Sequence, residues 1–290
     1  MTINSSDSIF INKTKLDLPF LKKEVSRLAE KVAQFIYTEA QNFDKDDIEV
    51  KSFNSLVSYV DKEAEKRIVE KLRELLPQAG IIAEEGTGTP KEEGLNWIID
   101  PLDGTTNFVH GIPVYSISIA LSYTQKNQNQ SKTELLLGVV YEVNRKECFA
   151  AYQNGGATLN EKKITVSGES KLGKSLIATG FPYEDFDKIE DYLFMMGAMM
   201  KAAHGLRRLG SAAVDLSYVA AGRFEGYFEY NLNAWDVAAG ALIVKEAGGI
   251  VSDFEGNEVV ENYVFGKQII AATGIHSQIL KLVREVFLKK

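Results

Sequence analysis

The sequence has one cysteine and three histidines among 290 residues. A lone cysteine, Cys148, excludes an internal disulfide, and nothing in the cysteine usage points to an oxidising compartment. Three histidines supply a zinc site poorly, because zinc prefers His and Cys ligands. No apolar run approaches the length of a membrane span, and the polar start MTINSSDS lacks a secretory signal's basic and apolar regions. Positive charge is also short: 33 Lys and Arg against 40 Asp and Glu leave a net charge of −7. That balance speaks against a broad nucleic-acid surface, which needs clustered basic residues. Repeats and low-complexity tracts are absent. The expectation is a cytoplasmic enzyme or binding protein with no nucleic-acid or membrane partner. Metal ions remain open as partners, as does a phosphorylated small molecule approached through them.

What is present is ordinary in bulk and specific in detail. Apolar residues at 45% and charged residues at 25% suit a globular chain long enough for one large domain or two smaller ones. Leu21, Val25, Leu28, Val32 and Phe35 recur at helical spacing and predict a helix over 20–42. Val60, Ala64, Ile68, Leu72 and Leu75 predict a second over 59–76. Ile81–Ala83 and Trp97–Ile99 read as short strands, the latter stopping where Pro101 restricts Asp100. Tyr115, Ile117, Ile119 and Leu121 alternate as in a half-buried strand. LLLGVVYEV and KECFAAY form a hairpin about Asn144-Arg145, QKNQNQSK (125–132) reads as a polar loop, and a turn at Gly155-Gly156 precedes a strand over 163–166. Strands and helices alternate from SLIATGF onward, with helices over 187–204, 211–221, 235–247 and 276–288. The expectation is a layered α+β protein with an N-terminal half, 1–165, and a C-terminal α/β half, 166–290.

Three places set acids at the ends of apolar elements: Glu84-Glu85, Asp100 with Asp103, and Asp236. A solvated loop would account for the first, and a helix N-cap for the last. The stretch WIIDPLDGTTNF (97–108) resists such readings, because an uncompensated carboxylate is costly at the end of a buried strand. Asp103 is close enough to Asp100 for both carboxylates and the Leu102 carbonyl to face one point. Oxygen ligands of this kind suit Mg²⁺ or Mn²⁺. Gly104-Thr105-Thr106 then offers backbone N–H groups at a helix start, a seat for phosphate. Metal ligands beside a phosphate seat suggest metal-assisted phosphoryl chemistry.

WIIDPLDGTTNFVHGIP closely resembles the signature of the inositol monophosphatase family of magnesium-dependent, lithium-sensitive phosphatases, and the later motifs resemble its bacterial members. LVSYVD, IIAEEG, RRLGSAAVDLSYVAAGRFEGYFE and WDVAAGALIVKEAGG fit in the family's order, so the likeness spans roughly residues 20–285. The resemblance implies a layered α-β-α-β-α sandwich of the inositol monophosphatase/fructose-1,6-bisphosphatase type. It implies that Glu84, Asp100, the Leu102 carbonyl, Asp103 and Asp236 hold two or three Mg²⁺ ions, with Asp100 bridging a pair. Asp61 would pair with Thr105, whose hydroxyl would help Glu84 orient the attacking water. Gly104 and Thr105 would hold phosphate oxygens, and Asp103, Ala212 and Glu229 would meet substrate hydroxyls. The implied substrate is a small phosphate monoester, inositol monophosphate or a similar polyol or sugar phosphate, and the implied assembly a homodimer.

The same fold also serves 3′-phosphoadenosine 5′-phosphate phosphatases and fructose-1,6-bisphosphatases, and a catalytically idle binding protein is a further alternative. Family members usually carry Asp-Leu-Val-Thr where this chain has Ser55-Leu56-Val57-Ser58, and Val60 stands where a small or hydroxylated residue is common. Lys51 is the candidate for a mobile basic loop, with its register slightly short. Arg207 and Arg208 suit either a solvated helix end or a contact to substrate or a second subunit. His110 suits packing or a turn cap better than a metal, and Cys148 suits the core.

Overall fold

The computed structural model describes residues 2–3, 8–11, 14–43, 48–52, 55–127, 130–182 and 186–287. Among these, two sheets dominate. The seven-stranded sheet runs, in spatial order, Lys162–Ile164, Gly156–Leu159, Glu147–Tyr152, Gln130–Glu142, Ser116–Asn127, Gly94–Asp103 and Gly80–Ala83. It is antiparallel except where Gly80–Ala83 runs parallel to Gly94–Asp103. The five-stranded sheet runs Gly205–Arg207, Leu176–Thr179, Gly226–Tyr230, Gln268–Ala272 and Ile250–Ser252. Its first three strands are parallel and the remaining pairings antiparallel.

Five layers follow from which faces are apolar. The helices Leu18–Ala40 and Tyr59–Leu75 bury Val25, Leu28, Ile36, Ile68 and Leu72 against Trp97, Ile99, Ile117 and Ile119 of the larger sheet. Its opposite face, with Ile98, Ala120 and Val140, meets the helices Ala212–Ala220 and Ala234–Glu246. Those helices carry the Ala-rich faces of AAVDLSYVA and AWDVAAGALIVKE and are buried nearly all round, as a central layer must be. Their far side covers Tyr227, Ile269 and Ala271 of the smaller sheet. The alternate residues Phe228, Ile270 and Ala272 face Met195, Met199, Ile279 and Val283 of the helices Ile189–Ala202 and His276–Phe287. Residue 165 falls between the two sheets in the chain, while the central helix layer packs on both.

Four sequence expectations change. The Trp97 strand does not stop at Asp100 but continues to Asp103, with an irregularity between Asp100 and Asp103 in its pairing with Ser116–Asn127. A bulge tolerates Pro101, because it removes a ladder hydrogen bond there. The Tyr115–Leu121 strand is buried on both faces, since Ser118 and Ala120 lie under the central helices. Residues 125–127 and 130–132, read as part of a polar loop, continue two paired strands with Asn127 opposite Gln130, and residues 128–129 lie outside the described residues. Arg207 ends a strand rather than a helix. Lys51 lies on the strand Ile48–Ser52, and its side chain falls outside the described residues. No helix among the described residues is long and apolar enough to cross a membrane.

Candidate active site

The larger sheet, the central helices and one end of the smaller sheet line a cavity of about 200 Å³. Glu84, Asp100, Leu102, Asp103, Gly104, Thr105, Ala212, Glu229 and Asp236 all line it. The fold therefore brings together nine of the ten residues singled out in the sequence. The tenth, Asp61, stands behind Thr105 and accepts its hydroxyl at 2.9 Å.

The bulged strand end explains how the acids reach one point. Asp100 is buried, and its Oδ1 accepts the Leu102 N–H at 2.9 Å, so the carboxylate folds back over its own turn. Gly104 then adopts a φ of 99°, a left-handed conformation that costs glycine little, and the helix Thr105–Val109 begins. Asn107 ties this turn to the second half of the chain, donating to Val114 O at 2.7 Å and Leu209 O at 2.8 Å. Ser118 Oγ donates to Trp235 O at 3.0 Å, which fixes the start of the helix that carries Asp236.

Asp61 is held by more than Thr105. The Ser58 N–H and hydroxyl reach its Oδ2 at 2.8 and 2.6 Å, and the Val60 N–H donates to Ser58 Oγ at 3.1 Å. This is a capping box, so Ser58 supplies the hydroxyl chemistry of the threonine it replaces. Val60 is fully buried in the core. Asp236 likewise caps its helix, accepting the Asn233 N–H at 2.6 Å, and faces the cavity as well. Capping and cavity lining are thus the same placement, since the cavity lies at the helix start.

Asp103 is gripped from the second half, by Ser211 Oγ and the Ala213 N–H, both at 2.7 Å. The Ala212 N–H is also turned toward Asp103. Glu229, on the strand Gly226–Tyr230, accepts the Tyr227 hydroxyl at 2.5 Å. A side chain at Gly180 would collide with the Glu229 carboxylate where it now stands.

The electrostatics share one cause. Burial, then the charges of Glu84, Asp103 and Asp236, push the Asp100 carboxyl well above its usual range. Burial, then Asp103, do the same to Asp236. Burial raises Asp103 to about 6 against the opposing hydrogen bonds of Ser211 and Ala213, and raises Glu229 to about 8. Carboxylates crowded in this way favour either protons or a cation. The donor set is all oxygen, with no His or Cys, which fits a hard divalent ion. Among the described residues no three of these side chains are already drawn into a closed ligand cage.

The sequence reading missed Asp215, which lines the same cavity, is 1% exposed, and has an Oδ1 with no hydrogen-bond partner. Burial and the charges of Glu229 and Asp103 hold its carboxyl well up. Its apolar neighbours in AAVDLSYVAAG were the available signal, since a helix buried all round puts every polar residue inside. Arg208 also lines the cavity, with its guanidinium 5.3 Å from the Phe181 ring centre, whereas Arg207 is exposed. His110 is exposed at the end of its short helix, where its N–H bonds back to Thr106 O at 3.2 Å. Cys148 is partly buried against the core.

The sequence model of the inositol monophosphatase family matches residues 19–287. The chain belongs to that family. The Nus factor SuhB of Pseudomonas aeruginosa is 41% identical over 236 residues, covering 80% of this chain and 84% of that protein. Among solved structures, the Thermotoga maritima IMPase is 36% identical with a TM-score of 0.79, covering 93% of this chain and 98% of the other. The inositol monophosphatase from Anabaena is 30% identical with a TM-score of 0.79 and the same coverage, 93% and 98%. The layered fold is the one these inositol monophosphatases share.

Proposed function

We propose that this protein is a Mg²⁺-dependent phosphomonoesterase that hydrolyses inositol monophosphate or a similar polyol or sugar phosphate. The observation that carries this reading is the single cavity in which acids from both halves meet Gly104 and Thr105. Glu84, Asp100, Asp103, Asp236 and the Leu102 carbonyl would hold Mg²⁺, with Mn²⁺ as a substitute. The metal supplies a Lewis acid that neutralises phosphate charge and makes water a usable nucleophile near neutral pH.

The chain's own groups then have separate tasks. The Thr105 hydroxyl donates its hydrogen to Asp61 at 2.9 Å, with the Leu102 carbonyl as a second acceptor at 3.0 Å, so its oxygen lone pairs are available to a water donating from the cavity. Glu84 and Thr105 together orient that water, the placement that in-line attack demands. The Gly104 and Thr105 N–H groups hold phosphate oxygens as charge redistributes. Asp103, Glu229 and the Ala212 backbone meet hydroxyls of the alcohol being released.

Phosphate release by the purified protein in Mg²⁺ tests this, with inositol 1-phosphate, fructose 1,6-bisphosphate and 3′-phosphoadenosine 5′-phosphate side by side. The expected order puts inositol 1-phosphate first, and no turnover on any monoester would sink the proposal. The relatives' name supports a second role, that of a Nus factor, through the 41% identity over most of the chain. Complementation of a strain lacking its own SuhB tests that role, and failure of the wild-type chain to complement would refute it.

A further inference from the structure

The helix Tyr59–Leu75 carries a second buried carboxylate, Glu65, whose task differs from that of Asp61. Glu65 is fully buried, and its two oxygens take different backbone groups of one loop. Oε2 accepts the Glu85 N–H at 2.7 Å, and Oε1 accepts the Thr87 N–H at 2.9 Å. That loop bears Glu84. It is a turn beyond the strand Gly80–Ala83, with Gly86 at a φ of 79°, so no helix or strand of its own fixes it. The Glu84 N–H is tied on the other side to Ile99 O at 3.3 Å, one residue before Asp100.

Asp61 lies four residues before Glu65, and side chains so spaced stand one turn apart on one face, about 5–6 Å between Cβ atoms. One face of a rigid helix therefore grips the Thr105 hydroxyl with its first carboxylate and the Glu84 loop with its second. We propose that Glu65 is a positioning residue of the active site. It sets the Glu84 carboxylate relative to Thr105 and Asp100, and so governs how tightly the site takes Mg²⁺. The role rests on the phosphatase reading above, because it acts through Glu84.

Glu65→Gln is the test, since the amide keeps the shape but has one acceptor oxygen for two N–H groups. Its NH₂ is left against a backbone donor, so one tether is lost. The expected result is a Mg²⁺ dissociation constant, read by calorimetry, about tenfold weaker than wild type. The Mg²⁺ needed for half-maximal turnover rises in parallel, while KM for the ester at saturating Mg²⁺ stays close to wild type. A merely structural staple would lower the melting temperature and leave the Mg²⁺ dissociation constant unchanged, which would overturn the proposal. A second measurement needs no variant: amide hydrogen exchange in the wild type should find Glu85 and Thr87 protected, and exchange at open-loop rates would contradict the tether. A wild type that neither binds Mg²⁺ nor turns over removes the phosphatase reading and this role with it. A wild type that does both, beside an unaltered Glu65→Gln, removes this role alone.

Discussion

Asp253 and Asp100 occupy similar places in the chain and have opposite environments. Each lies where a strand's regular pairing gives out: Asp253 directly succeeds Ile250–Ser252, and Asp100 stands at the irregularity within Gly94–Asp103. Asp253 is met by the Glu255 and Asn257 N–H groups and by the Asn257 and Asn262 amides, at 2.8 to 2.9 Å. Burial pushes its carboxyl up, but the hydrogen bonds from Asn257 and Asn262 outweigh this and hold it below its ordinary value. Asp100 receives the Leu102 N–H and faces Glu84, Asp103 and Asp236, so its carboxyl stands well above the usual range. The lesson is that position at a strand end does not define a ligand. An acid whose lone pairs its own loop already fills is a strut, and an acid crowded by other acids is a candidate ligand for a cation.

Asp100→Asn tests the sharper side of that contrast and carries the largest expected effect. Turnover should fall by roughly a thousandfold or more, about 4 kcal/mol of barrier. In EDTA the variant should melt no lower than wild type, because removing one charge relieves repulsion from three neighbours. Near-normal activity would contradict the ligand assignment. Asp253→Ala is the mirror case: the melting temperature should drop by about 6 °C as two side-chain amides and two backbone N–H groups lose their acceptor. The Mg²⁺ dependence of turnover should not move, and a shift there would break the distinction between strut and ligand.

A third test concerns Glu229, whose folded carboxyl sits at about 8 against an ordinary 4.5. A raised carboxyl contributes stability while protonated and loses it as pH climbs from the unfolded value through 8. Glu229→Gln should therefore melt clearly above wild type at pH 9 and level with it at pH 4, both in EDTA. An equal effect at both pH values would show that burial is not the source of the shift.

The comparison also explains what could be read from residues alone. The stretch WIIDPLDGTTNF was legible because it breaks a rule: acids end a buried strand with no basic partner nearby in sequence. Asp236 was half legible, since a helix-start aspartate reads equally well as a cap, and the structure makes it a cap at the cavity. Asp215 carried a weaker signal, an acid among the apolar residues of its helix. Glu65 gave none, because it sits within an amphipathic pattern where an acid reads as the solvated face, and only packing buries it. A layered α+β protein was legible from the switch from antiparallel to alternating elements, and the α-β-α-β-α order only through the family resemblance. Pro101 misled in a local way, because a proline usually ends a strand and here occupies a bulge.

The claim that joins these points is that the cavity acids from both halves form one cation site. Thermal melting at pH 7.5 with rising Mg²⁺, for wild type and Asp100→Asn in parallel, tests it most directly. Ligand binding to the folded state alone must raise the melting temperature as concentration climbs. The account predicts a Mg²⁺-dependent rise in the wild type that is largely lost in Asp100→Asn. Equal curves for the two proteins, or no rise in the wild type, would contradict it.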